Sequence, residues 1–297
     1  MNEACHMPTY TGRFAPSPTG DLHIGSLIAA VASYLQAKSR SGQWLVRIED
    51  IDPPREVKGS AQRILADLER LGMKPDQPVL YQSSHIQQFR NACASLLKSG
   101  LAFSCSCSRK TLPANGIYPG TCRQGTAAGS MPHSVRIKTK HQITRFHDGL
   151  QGIIQENLAT SIGDFVIWRG DDLPAYQLAV VLDDALQGIT EVVRGADLLK
   201  STARQIHIQK ALKLPSPAYT HLPVACQGGQ KLGKRLRSDP VRSRNPADAI
   251  HWALTFLGQQ PPHHLSHQEL WTWAHENWDI QKVPARQSIE VDEVSSN

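Results

Sequence analysis

The chain has 297 residues, a mass of 32.8 kDa and 40% hydrophobic residues, enough for one large or two modest domains around a sizeable core. No apolar run approaches the roughly 20 residues of a membrane span, and Met1 to Tyr10 lacks the basic-then-apolar order of a secretory signal, so composition argues against a membrane or secreted protein and for a cytoplasmic one. The formal charge of +6 and pI near 9.0 suit a polyanionic partner such as RNA without requiring one.

The first segment, Thr11 to Ser26, is a stiff Pro/Gly loop that delivers His23 and Gly25 to an Ala/Leu/Ile-rich run, Leu27 to Gln36, free of Pro and Gly. The run predicts a helix with its N-terminus at Gly25-Ser26. Unpaired amides and the partial positive charge at such an end attract a phosphate, and a glycine lets it approach the backbone; an ordinary capped helix is the alternative. Trp44 to Ile48 reads as a buried strand that runs into Glu49, Asp50 and Asp52 before Pro53-Pro54-Arg55. Ligands gather at the carboxyl ends of strands in open parallel sheets, although three acids can also form a solvated turn. Ala61 to Leu71 places Ile64, Leu65, Leu68 and Leu71 on one helical face, with Gly72 ending it, and Gln88 to Lys98 is a second amphipathic helix. The strand and helix signals alternate up to about Ser84, as in the first half of a doubly wound α/β nucleotide-binding fold.

A Gly/Pro/Ser-rich stretch, Thr111 to Pro132, breaks that alternation and predicts an inserted subdomain with strands at Val135 to Lys138 and Phe165 to Trp168. Six cysteines in irregular spacing do not form a disulfide pattern. Cys105, Cys107 and Cys122 are spaced to close a small loop around a metal, and thiolates favour zinc. Spacing leaves the fourth ligand open between His133 and water, and three reduced thiols without metal is the plain alternative. Tyr176 to Leu182 predicts a buried strand and Ala203 to Leu212 a helix, completing the split fold. Lys231, Lys234, Arg235, Arg237, Arg242 and Arg244 make a basic stretch that is either RNA-facing or a solvated loop. Ala247 to Leu257 and Gln268 to Trp278 predict two helices whose Trp252, Phe256, Leu270, Trp271 and Trp278 belong to a core rather than to a base-stacking surface. His263, His264 and His267, beside Pro261-Pro262, are a weak metal candidate. The expected divisions are residues 10–87 and 171–230 for the two halves of the Rossmann-type fold, 88–170 for the insertion, and 231–290 for a loop and helical piece.

In chain order, Arg13 to Gly20, His23-Ile24-Gly25-Ser26, Arg47 to Asp52, Ala175 to Asp184, Gly188 to Asp197 and Lys231 to Arg235 resemble the motifs of the class I aminoacyl-tRNA synthetases, glutamyl branch, over residues 11 to 235. The resemblance implies activation of an amino acid by ATP, with His23, Gly25, Ser26, Lys231 and Lys234 meeting the phosphates and His23 and Lys234 acting in catalysis. It assigns Arg13, Ser17, Glu49, Tyr176 and Arg194 to glutamate. It further implies a structural zinc held by Cys105, Cys107, Tyr118 and Cys122, and magnesium arriving with ATP. Gly233 stands where the family's closing loop carries serine, which implies slower activation rather than inactivity.

About sixty residues follow Leu236, too few for the helical anticodon-binding region of a full glutamyl enzyme. That brevity, the His23-Ile24-Gly25-Ser26 form and the Glu49 to Arg55 sequence resemble the glutamyl-Q tRNA(Asp) synthetases. For such a family member the expected substrates are L-glutamate, ATP and queuosine-modified tRNA(Asp), recognised at its anticodon stem-loop, with the protein acting as a monomer. The alternatives are a minimal glutamyl-tRNA synthetase charging a tRNA 3′ end and a non-catalytic RNA- or zinc-binding relic.

Overall fold

A computed structural model describes residues 9–108, 111–126, 131–232 and 240–291. Strand β1 (Thr11–Phe14) leads through the Pro/Gly loop into helix α1 (Ile24–Ser39), followed by β2 (Gln43–Ile48), α2 (Ser60–Arg70) and β3 (Leu80–Tyr81). The three strands are parallel in the order β1-β2-β3. β2 is buried from Trp44 to Ile48, as expected of a strand covered on both faces. Helix α1 is buried along most of its length because two layers claim it: the sheet on one side and the C-terminal helices on the other.

Helix α3 (Ile86–Lys98) is followed by β4 (Ala102–Cys105), β5 (Ser134–Ile137), β6 (Ile143–Asp148), β7 (Gly152–Asn157), the single turn α4 (Leu158–Ser161) and β8 (Phe165–Trp168). β4, β5 and β8 form an antiparallel sheet with an irregularity between Val135 and Arg136. The β6–β7 hairpin, which has no counterpart among the predicted elements, leaves that sheet and joins the main one.

Helix α5 (Tyr176–Leu186) corrects the sequence reading, which expects a strand at Tyr176 to Leu182. Leu178 to Val181 are all buried, and a helix enclosed on every side shows no amphipathic stripe to distinguish it from a buried strand. The helical geometry matters, because residues i and i+8 share a face and Tyr176 is thereby aligned with Asp184.

The parallel sheet then resumes with β9 (Glu191–Gly195), α6 (Leu199–Leu212) and β10 (Ala218–Leu222). β9 lies beside β1, tied by the Thr190 amide donating to the Thr11 carbonyl at 2.9 Å. The other side of β10 receives β6 in parallel register, with Tyr219 opposite Asp148. Strands β11 (Val224–Gln227) and β12 (Gln230–Lys231) precede α7 (Pro246–Phe256), α8 (His267–Asn277) and β13 (Ser288–Glu290), which pairs with β11. The C-terminal aromatics enter the core as expected: Trp271 lies edge-on to Tyr34 at 5.3 Å, and Trp278 Nε1 donates to Gln36 at 3.0 Å. No described helix is long and apolar enough to cross a membrane.

Candidate active site

A cleft of about 780 Å³ opens at the carboxyl ends of β1, β9 and β10. This is the reversal point of an open parallel sheet, where the chain leaves in opposite directions from adjacent strands. One wall is the Pro/Gly loop. Its Pro16 carbonyl accepts from the Glu49 amide at 3.0 Å, its Pro18 carbonyl from Val57 at 2.9 Å, and its Gly20 carbonyl from Ser60 Oγ at 2.6 Å, so the loop is fastened to the end of β2 and the start of α2.

His23 is the N-cap of α1, whose first residue is Ile24, one or two residues earlier than the sequence predicts. Its Nδ1 accepts from the Ser26 amide at 3.2 Å, which leaves the proton on Nε2, 3.0 Å from Ser26 Oγ. A side chain at Gly25 would bring its first carbon to 2.8 Å from the Leu232 carbonyl, so only glycine lets the chain before the closing loop pass over the helix end. Lys231 lines the cleft with its ammonium on Asp197 at 2.6 Å. Gly233, Lys234, Arg235 and Arg237 lie outside the described residues. Arg242, from the same basic stretch, bonds Asp21 and Asp67, each at 3.2 Å, and thereby pins the chain after the loop to α2 and the Pro/Gly loop.

The floor is a buried cluster of charge. Arg13 Nε meets Asp184 at 3.2 Å, and Arg47 Nη1 meets the same carboxylate at 2.8 Å. Arg47 also reaches Glu49 at 3.5 Å and Gln187 at 2.8 Å. It is 0% exposed. Burial opposes its charge, but Asp184, Glu49 and Asp183 outweigh that and raise its pKa. Burial also raises Asp184, yet Arg13 and Arg47 together pull it below the usual carboxylate range. For Glu49 burial wins over Arg47 and Arg13, and its pKa is raised. Tyr176 lines the same cleft, its phenol held neutral by burial, and Ser17 stands exposed at the rim. Neither Arg47 nor Asp184 is a candidate by sequence reading, because a buried ion pair becomes visible only when both partners are in place.

Arg194, on β9, is 5% exposed. Its Nε donates to His221 Nε2 at 3.0 Å, and its Nη2 to Thr202 Oγ1 at 2.9 Å and Gln205 Oε1 at 2.8 Å. Its Nη1 is buried and has no hydrogen-bond partner. An unmade buried bond costs about 1–3 kcal/mol, more beside a charge. A carboxylate entering the cleft would remove that cost.

Between β4 and β5, Cys105, Cys107 and Cys122, the first of them the last residue of β4, bring their sulfurs within 4.8 Å of one another. Cys107 and Cys122 are 3.6 Å apart, and Tyr118 Oη lies 3.5 Å from the Cys105 sulfur and 3.8 Å from that of Cys107. Tetrahedral zinc with bonds of about 2.3 Å to sulfur has edges of about 3.8 Å, so this donor set fits the ion. Burial raises the Cys122 thiol, but hydrogen bonds from Tyr118, Ser106 and Cys107 bring it down to about 6. Arg136 donates to Cys105 Sγ at 3.3 Å and lies 4.0 Å over the Tyr118 ring, supplying a cation to an electron-rich cluster. Gly163, with φ +72°, presses on the Tyr118 backbone so closely that a side chain there would displace the tyrosine. His133 is exposed and does not contribute to the sulfur group. His263, His264 and His267 form no ligand group among the described residues; His267 instead bonds the Leu71 carbonyl at 3.2 Å.

The sheet reversal, the capped helix end and the paired arginines define a class. The model of class I tRNA synthetases (E and Q), catalytic domain, matches residues 9–116 and 118–245, and the chain belongs to that family of ATP-dependent ligases. Within it, the chain is 48% identical to the glutamyl-Q tRNA(Asp) synthetase of Aromatoleum aromaticum, over 96% of this chain and 93% of that protein. It is 49% identical to the protein of the same name from Pseudomonas aeruginosa PAO1, over 93% and 96%. Among solved structures it is similar to a glutamate-tRNA synthetase from Elizabethkingia anophelis, with a TM-score of 0.80, 25% identity, and coverage of 96% of this chain and 68% of that one.

Proposed function

We propose that this protein activates L-glutamate with ATP, without needing tRNA, and transfers the glutamyl group to queuosine in the anticodon of tRNA(Asp). The observation that carries the glutamate site is the buried, unpartnered Nη1 of Arg194, a residue that lines the same cleft as Arg13 and Glu49. The two arginines suit the side-chain carboxylate, Glu49 the ammonium, and Tyr176 and Ser17 the pocket wall and rim. Glutamine would leave a guanidinium unpaired, a mismatch worth on the order of ten-thousandfold in selection. The relatives' names support the queuosine acceptor.

In the activation step, an oxygen of the α-carboxylate attacks the α-phosphorus of ATP. The new O–P bond forms as the bond to the β-phosphate oxygen breaks, releasing pyrophosphate. The His23 Nε2 proton, now directed at Ser26 Oγ, would turn to a phosphate oxygen, joined by the amides behind Gly25 and by Lys231 and Lys234. In the transfer step, a hydroxyl of the queuosine cyclopentenediol attacks the glutamyl carbonyl. Its proton leaves to solvent or to the departing AMP as the acyl–phosphate bond breaks. Magnesium accompanies ATP. A cytoplasmic location follows from these substrates.

The deciding assay is ATP-dependent transfer of labelled glutamate to tRNA(Asp) lacking its 3′-terminal adenosine. Label is expected on the queuosine-containing tRNA and not on the unmodified one. Label confined to the 3′ end of intact tRNA(Glu) would overturn the queuosine acceptor, and absence of glutamate-dependent pyrophosphate exchange would overturn activation itself.

For the cysteine cluster we propose a structural zinc on Cys105, Cys107, Cys122 and Tyr118. Chelation is expected to release about one zinc per chain and to make all three thiols reactive toward a disulfide reagent. Unchanged thiol reactivity after chelation would count against the site.

A further inference from the structure

Arg194 is held by a relay that begins on the β6–β7 hairpin. Asp148, the last residue of β6, is 1% exposed, and His221, on β10, is 0% exposed. Their contact, Asp148 Oδ2 to His221 Nδ1, is 2.5 Å. The other oxygen of Asp148 accepts three backbone amides, from Leu150 at 3.1 Å, Gln151 at 3.0 Å and His221 at 3.1 Å. Burial raises this carboxyl, but the His221 bond and these amides outweigh it, so Asp148 stays ionised. An ionised carboxylate only accepts, so His221 must carry its proton on Nδ1. Burial, and Arg194 beside it, keep the ring neutral against the pull of Asp148. The remaining nitrogen, Nε2, is therefore an acceptor, and it faces Arg194 Nε at 3.0 Å and Thr202 Oγ1 at 3.2 Å.

The consequence is a guanidinium fixed along one edge. With Nε on His221 and Nη2 on Thr202 and Gln205, only Nη1 of Arg194 is left without a partner. The opposite histidine tautomer would set an N–H against the Arg194 N–H and push the guanidinium out of this plane.

We propose that Asp148 and His221 are positioning residues for the amino-acid substrate: Asp148 sets the His221 tautomer, and His221 Nε2 orients Arg194 so that Nη1 meets the substrate's side-chain carboxylate. This rests on the glutamate reading of the cleft. It gives the hairpin a part in specificity, since the residue that fixes the tautomer comes from β6, on one side of β10, while the arginine comes from β9, on the other.

Glutamate-dependent ATP–pyrophosphate exchange tests it with Asp148→Asn, His221→Leu, His221→Gln and Arg194→Ala, each checked for folding by thermal melting. An asparagine amide at 148 can donate to Nδ1 and so favours the wrong tautomer at almost constant shape. Asp148→Asn and His221→Leu are expected to raise the KM for glutamate by about 10- to 100-fold while the KM for ATP stays within about twofold. His221→Gln, whose amide oxygen can occupy the Nε2 position, is expected to recover most of that loss. If His221→Gln is as impaired as His221→Leu, or if both KM values rise together, the positioning role is overturned. If Arg194→Ala raises the glutamate KM but none of the other variants does, the relay is wrong and the glutamate site stands. If Arg194→Ala itself leaves that KM unchanged, the glutamate reading falls with it. Should Asp148→Asn fail to fold, the comparison of the two His221 variants decides.

Discussion

Arg47→Met is expected to destabilise the protein by about 3–5 kcal/mol, because it removes one partner of a buried ion cluster and leaves the others charged. Asp184, Glu49 and Asp183 would lose their shared cation, leaving Arg13 on Asp184 and, for Asp183, only His85 at 2.8 Å and Gln82 at 2.9 Å. For a chain of this size the loss corresponds to a fall in Tm on the order of 10 °C. The double variant Arg47→Met/Asp184→Asn should be more stable than the sum of the single changes predicts, by about 1–3 kcal/mol, since the second substitution removes a carboxylate that has already lost one of its two arginines. Thermal and denaturant melting measure both quantities. A single-variant loss below about 1 kcal/mol would mean that the cluster is solvated and that its tight pairing is not what supports the cleft floor.

His23 has two separable tasks, and two substitutions divide them. His23→Ala removes both the cap of α1 and the imidazole, whereas His23→Asn keeps a side chain that can accept from the Ser26 amide. Both are expected to slow glutamate-dependent pyrophosphate exchange by about a hundredfold, the usual effect of losing one donor to a transition state. Only the alanine variant should lose stability, by about 1 kcal/mol. If His23→Asn exchanges at close to the parent rate, the residue serves the helix and not the phosphate.

The candidate site was legible where its residues are close in sequence. The Pro/Gly loop, His23 and Gly25 sit within a few residues of one another, so their geometry is a local property of the chain. Arg13, Glu49, Tyr176 and Arg194 were reached through their motif contexts, and all four line one cleft. The basic stretch after Lys231 could not be divided in this way: Lys231 rests on Asp197, and Arg242 ties Asp21 to Asp67, contacts that charge alone cannot announce. A run such as Tyr176 to Leu182 misled because burial on every side erases periodicity.

Chain order and composition were sufficient for the α/β class and for the cysteine cluster, because each depends on short-range spacing or on residue chemistry, whereas the side chains proposed for phosphate and glutamate rest on the motif resemblance. The partners of those side chains were settled by packing. Asp184 reaches Arg13 from a helix 171 positions along the chain, and Asp148 reaches His221 from a hairpin 73 positions before it. Buried charges must be paired somewhere, but which acid meets which base depends on where the sheet, the buried helix and the hairpin come to lie against one another.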